Sequence, residues 1–315
     1  MISEINDPWE RMAVSTERRI DSNHNLFWIR NSEGNYGFVI KAEKPFSKLE
    51  NDFKIRGVTI IKRVVDHLHS ELYLVLNSNH DWQIFHTLCL DLVRICDSAI
   101  NHNKMISAVE SRLRKWQLFL MNDSRASLSL KIQMGLFSEL LCLKNIVIPN
   151  LGYKEGILSW VGPNFDKQDF STKDLLIEVK SFLSSKGPII HISSVHQLDT
   201  QKEPLYLLAY GLTLTDRGIS ILDLIDDLSA LFANESSHLL ELFENKLIAY
   251  GYMSGISEGS FSKFSIDNVN SFSVSHDFPK ILSLNLRTQI KSVNYTIDLV
   301  GCKEFEIDIN SIFKS

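Results

Sequence analysis

Glu178 and Lys180 stand two residues apart at the end of the apolar run Leu175-Leu176-Ile177. In a β-strand that spacing puts both side chains on one face, while Ile177 and Val179 take the other. Two more acids, Glu139 and Asp169, precede them in the chain. Two carboxylates give a hard divalent cation such as Mg²⁺ the oxygen ligands it needs, with water and phosphate oxygens completing its shell. A cation held this way polarises a phosphodiester and makes hydroxide available near neutral pH. A lysine beside two acids has its pKa raised, so it suits charge stabilisation better than general-base work. Asp169, Glu178, Lys180 and Glu139 are therefore the expected catalytic set for phosphoryl transfer to water, with Asp169 and Glu178 as metal ligands. Alone, Glu-x-Lys also describes an ordinary charge pair on a solvent-facing strand.

The surrounding elements decide between those readings. The stretch from Leu175 to Val179 is almost continuously apolar, as expected of a strand covered on both faces, where charged groups are rarely left without partners. Glu139 falls in line with Ile132, Gly135, Leu136, Cys142, Leu143 and Ile146 at helical spacing, which makes it an acid in an apolar stripe. Gly135, one turn earlier, removes a side chain where a backbone or a metal site can approach. The plainer alternative is a boundary Glu reaching solvent. Asp166 and Asp169 both follow the Gly162-Pro163 turn. Asp169 is favoured because it adjoins Phe170, an inward-pointing strand residue by pattern, while Ser171 to Asp174 return the chain to Leu175 as a hairpin. Beyond the lysine, His191, Ser193 and Gln197 follow on a strand and a short capped turn and are the accessory candidates for contacting substrate. A lone strand histidine is equally at home as a satisfied core residue.

Strand patterns occur at Phe27–Ile29, Phe38–Ile40, Val58–Ile61 and Leu72–Leu76, followed by two helices between Trp82 and Met121 and a third from Ser127 to Ile146, ended by Pro149-Asn150-Leu151-Gly152. Leu175–Val179, Ile189–Ile192 and Leu205–Leu212 read as strands, Ile219–Phe232 and Ser236–Ile248 as amphipathic helices. Period-two stretches follow at Phe261–Ile266, Ser271–Val274, Tyr295–Leu299 and Phe305–Ile309. The expected organisation is a β-sheet and helices over 1–125, an α/β core over 126–215 and C-terminal helices and strands over 216–315.

With 315 residues, 44% hydrophobic and 23% charged, the composition is that of an ordinary globular chain. A net charge of -5 excludes a general polyanion-binding surface, although metal-binding carboxylates contribute charge that a cation would cancel. Local phosphate contacts are offered by Arg112, Arg114 and Lys115 beside Trp116, and by Lys54, Arg56, Lys62 and Arg63; a solvated charged face is the plainer account. Cys89, Cys96, Cys142 and Cys302 lack metal-ligand spacing and read as core residues, not a zinc site. The first eight residues carry acids and a proline instead of a secretory signal, and no apolar run approaches the ~20 residues that span a bilayer. A cytoplasmic protein without a membrane partner is expected.

These residues resemble the PD-(D/E)XK nuclease superfamily, and specifically a bacterial family of PD-(D/E)XK members. The resemblance rests on Gly135-Leu136-Phe137-Ser138-Glu139-Leu140-Leu141, Trp160-Val161-Gly162-Pro163, Asp169-Phe170, Glu178-Val179-Lys180, His191-Ile192-Ser193-Ser194 with Gln197-Leu198-Asp199, Phe278-Pro279 and Tyr295-Thr296-Ile297-Asp298-Leu299. It implies a restriction-endonuclease-like core, a mixed four-stranded sheet flanked by helices, and Mg²⁺-dependent (or Mn²⁺-dependent) cleavage of DNA. Asp169, Glu178 and Lys180 take the signature positions and Glu139 that of a core-helix acid; the chain departs from the pattern in having no proline directly before Asp169. It further implies a restriction or anti-phage locus with a methyltransferase or helicase-like ATPase as partner. A homodimer would serve two-strand cutting. The rival readings are a catalytically silent DNA-binding or scaffold subunit, and a nuclease for RNA or junctions using the same chemistry.

Overall fold

The computed structural model describes residues 7–44, 46, 54–99, 102–121, 128–164, 166–200, 202–254, 257 and 261–314. The chain divides into two compact units, Met1–Arg125 with Met253–Ser257, and Ala126–Tyr252 with Glu258–Ser315. The boundary expected at 125/126 and the helix start expected at Ser127 lie outside the described residues.

In the first unit, β1 (Thr16–Arg19), β2 (Asn25–Arg30), β3 (Tyr36–Ala42), β4 (Val58–Val64) and β5 (Ser70–Leu76) form an antiparallel sheet ordered β1-β2-β3-β5-β4. Strand β5 shows the pattern behind it: Ser70, Leu72, Leu74 and Leu76 are buried, their neighbours partly exposed. Strand β1 is exposed at every position, so no apolar alternation announces it in the sequence. Helices α1 (Trp82–Ser98) and α2 (His102–Met121) follow. Trp9, Phe38 and Phe85 are enclosed, each burial stabilising the unit by about 1.5–3 kcal/mol. Asp91 is buried between the helices, accepting from Arg112 Nε at 2.5 Å, Arg112 Nη2 at 3.0 Å and Trp116 Nε1 at 2.8 Å. Arg112 therefore ties α2 to α1 and is not the open phosphate contact that its sequence suggests. Lys62 likewise pairs with Glu110 at 2.6 Å.

The second unit contains α3 (Leu130–Cys142), α4 (Ile148–Ser159), β6 (Phe170–Ser171), β7 (Leu176–Leu183), β8 (Ile189–Ile192), β9 (Leu205–Ser220), α5 (Ile221–Glu235), α6 (Ser237–Tyr250), β10 (Lys263–Ser273) and β11 (Tyr295–Asp298). Its main sheet is ordered β10-β9-β7-β6, with β7 and β9 parallel and the other pairs antiparallel. Helices α3 and α5 pack together, α3 against β7 and α6 against α5. This is the mixed four-stranded sheet flanked by helices that was expected, an α/β core in an α+β whole. Ser220 and Asp223 start α5 with a reciprocal capping box, which removes two orphan donors where β9 ends.

Four expectations need correction. Residues 216–315 do not form a unit of their own: β10 pairs with β9 along most of its length and completes the sheet. The third helix does not stop at Pro149 but runs on through a π turn, Leu143–Val147, into α4. Pro149 falls in the first turn of α4, just past the π turn, where a missing N–H is tolerated. Gly152, at φ 79°, then kinks α4. The resulting run, Leu130–Ser159, is long and apolar enough by composition to cross a membrane, and 67% of its most apolar window is buried inside the protein. Finally, Phe305–Ile309 alternates in sequence but touches β10 only briefly, through the Phe272–Glu306 bridge and Ile307 N donating to Ser271 O at 2.9 Å, because 3-10 turns take up both of its ends. The four cysteines are buried free thiols, as expected.

Candidate active site

Asp169 immediately precedes β6, and the β6–β7 register pairs Phe170 with Ile177, which brings Asp169 opposite Glu178 across the hairpin. The hairpin forms as its turn chemistry demands: Thr172 N donates to Leu175 O at 3.0 Å and the Thr172 hydroxyl accepts from Leu175 N at 2.9 Å. Asp169 Oδ2 accepts from Val179 N at 2.7 Å, so the acid is bound to the strand carrying the other two groups. Lys180 Nζ lies 2.5 Å from Glu178 Oε1. Apart from that ion pair, neither buried oxygen of Glu178 has a partner among the described residues.

Glu139 reaches the same place from α3. Its Oε2 accepts from Trp160 Nε1 at 2.7 Å and its Oε1 from the Tyr250 hydroxyl at 2.8 Å. Gly162 shows how close the acids come: a Cβ there would lie 2.9 Å from both Asp169 Oδ1 and Glu139 Oε2. Both oxygens thus border one small space, kept open by a missing side chain. Gly135 has a different function from the one expected. A Cβ on it would lie 3.0 Å from the Tyr250 hydroxyl, so it makes room for tyrosine and not for backbone or metal.

The electrostatics follow from this enclosure. Burial, then the Asp169 carboxylate, push Glu178 up to about 8 against the pull of Lys180. Burial raises Asp169 too, opposed by Lys180 and the Val179 N–H. Burial and Asp169 hold Glu139 well above the carboxylate range, despite the two donors that favour its ionised form. Burial pulls Lys180 down, but Glu178 and Asp169 outweigh it and the ammonium is held above its usual value. Three carboxyls face one ammonium. Among the described residues no three His, Cys, Asp or Glu side chains cage an ion by themselves, but Mg²⁺ binds through one or two carboxylates and keeps several waters. The Glu178 carboxylate, met by Lys180 alone, and the excess of acid fit that kind of ion.

A family model described as "Putative PD-(D/E)XK family member, (DUF4420)" matches residues 5–300. The chain belongs to this PD-(D/E)XK family. No curated protein and no solved structure gives a match. Membership points to a nuclease, and the hairpin brings Asp169, Glu178 and Lys180 together. Asp166 is exposed and accepts only from Lys167 N at 2.7 Å, so it does not stand in for Asp169.

The accessory candidates do not join the acids. His191 is exposed on β8, paired with Thr296 of β11. Gln197 Oε1 accepts from the backbone N and the hydroxyl of Ser193, at 2.9 and 3.0 Å, which holds the turn and occupies both residues. Gln168, beside Asp169, instead donates to the carbonyls of His196 and Gln197 at 2.8 and 3.2 Å. Trp160, Gly162, Gln168 and Tyr250 are the neighbours that the chemistry-first reading of the PD-(D/E)XK residues passed over. Trp160 and Gly162 had a signal, the motif they share; Tyr250 had none.

Gly162→Ala tests the shared space. The added methyl must displace two carboxylates that are pinned by hydrogen bonds, so cleavage is expected to fall by about 100-fold with a small change in melting temperature. A variant that cleaves like wild type would show that the acids need not stay close.

Proposed function

We propose that this protein is a divalent-cation-dependent DNA endonuclease. The observation that carries this reading is the buried Glu178 carboxylate, met by Lys180 alone and facing Asp169. Asp169 and Glu178 would hold Mg²⁺ or Mn²⁺. Such an ion, when bound, activates water and neutralises charge on the phosphate. Lys180, the ammonium that faces those acids, places positive charge where the phosphate becomes more negative. Glu139, oriented by its two donors, offers its remaining lone pairs to the attacking water. Asp169 and Lys180 are only partly buried while Glu178 is enclosed, so substrate reaches the site past the first two.

The acidic chain, -5 overall, has little charge with which to grip a polyanion. DNA affinity is therefore assigned in part to a partner, a methyltransferase or helicase-like ATPase of a restriction or anti-phage locus. Supercoiled plasmid incubated with the protein, alone and with its locus partners, tests the activity. Mg²⁺ or Mn²⁺ should yield nicked or linear DNA, and a chelator should abolish it. Intact plasmid under every condition would favour a non-cutting scaffold.

A further inference from the structure

Helix α6 lies outside the strand-built set, yet its last turn ends on Glu139. The Tyr250 hydroxyl donates to Glu139 Oε1 across 111 residues of sequence. One turn earlier Lys246 Nζ donates to the Trp160 carbonyl, and Trp160 supplies the other Glu139 donor. The same helix therefore holds the carboxylate and the segment that holds the carboxylate. The end of α6 is fixed: Gly251 takes φ 102°, Gly251 N donates to Ile248 O at 3.0 Å, and Tyr252 N donates to Leu247 O at 2.8 Å. This closes the helix with the left-handed cap that glycine favours. On the facing helix, the absent side chain of Gly135 leaves the space that the hydroxyl enters.

The chemical type of the two donors matters. An Arg or Lys against Glu139 would orient it but cancel its charge. An indole N–H and a phenol O–H orient it and leave the negative charge available. Two neutral donors on a buried acid beside Asp169 make a poor structural ion pair and a suitable holder for a group that must attract a cation.

We propose that Tyr250 is a positioning residue of the nuclease site, which holds the Glu139 carboxylate beside Asp169 so that its charge draws in the divalent cation that Asp169 and Glu178 would hold. This rests on the nuclease reading. The assignment is tested on the full chain by Mn²⁺ binding, read from the electron paramagnetic resonance signal of free Mn²⁺, with melting temperature measured alongside. Tyr250→Phe removes one hydrogen bond to a carboxylate and is expected to weaken Mn²⁺ binding about tenfold, with kcat reduced and KM for DNA unchanged. In a Glu139→Gln background the same substitution should have no further effect on Mn²⁺, because the group it positions is no longer an acid. Tyr250→Phe that lowers the melting temperature but binds Mn²⁺ like wild type, while Glu178→Gln abolishes binding, would overturn the role of Tyr250 and leave the nuclease reading intact. Wild-type Mn²⁺ binding that is absent, or indifferent to Glu178→Gln, would overturn both.

Discussion

Lys180→Ala is expected to reduce cation-dependent cleavage by about 1,000-fold while DNA binding stays within a few-fold of wild type. The reason is local charge. Among the described residues Lys180 is the ammonium that faces Glu178 and Asp169, its Nζ 2.5 Å from Glu178, so its removal takes away the positive charge placed closest to those acids. Loss of one preorganised charge-stabilising group costs roughly 100- to 1,000-fold in comparable settings. The upper end applies here because Glu178 is fully buried and the Lys180 ammonium beside it is mostly enclosed. A single lysine contributes little to the grip on a long polyanion, which is why binding should survive. Plasmid cleavage and a filter-binding assay on the same preparation separate the two. Equal cleavage by wild type and variant would remove Lys180 from the mechanism.

Glu178→Gln should abolish activity and, unusually for a buried polar substitution, stabilise the metal-free protein at alkaline pH. Glu178 is pushed up to about 8 by burial and Asp169, against about 4.3 for an unstructured glutamate. Between those values the folded state retains a proton that the unfolded chain has released, so this group's contribution to stability falls as pH rises and the loss is complete above about 8. The penalty at pH 8.5 is on the order of 5 kcal/mol, and an uncharged glutamine does not incur it. The variant should melt roughly 10 °C higher than wild type at pH 8.5 and nearly level with it at pH 4. Saturating Mg²⁺ should raise the melting temperature of wild type alone, since binding to the folded state adds stability. A variant that melts lower than wild type at pH 8.5 would mean that Glu178 is not held uncomfortably in the apo fold.

The site was readable where its signals are local. Period two placed Glu178 beside Lys180, helical spacing exposed Glu139 as an acid in an apolar stripe, and the polar turn at Thr172 gave the hairpin that brings Asp169 across. Tyr250 escaped because a hydrogen bond spanning 111 residues leaves no periodicity in the sequence. Gln197 and Ser193 read as polar residues awaiting a partner, and the structure pairs them with each other; composition does not show that two polar residues four apart satisfy one another. The fold errors have similar causes. Pro149 stands in the first turn of α4, just past the π turn, where a missing N–H is tolerated, and Phe305–Ile309 alternates but is cut short against β10 by the turns at its ends. Residues 216–315 lack a linker because they are not separate: β9 continues unbroken from Leu205 to Ser220 and pairs with β10 beyond two intervening helices.

That pairing has a consequence for when a growing chain can become harmful to its host. The central strand, β9, cannot acquire its outer neighbour until residues 263–273 have left the ribosome, and Tyr250 is made only shortly before. Contacts so distant along the chain form late. The 93 residues that follow Lys180, up to Ser273, are therefore added with the acids already synthesised but their frame unfinished, and a truncated product would carry those acids without the enclosure that holds them together.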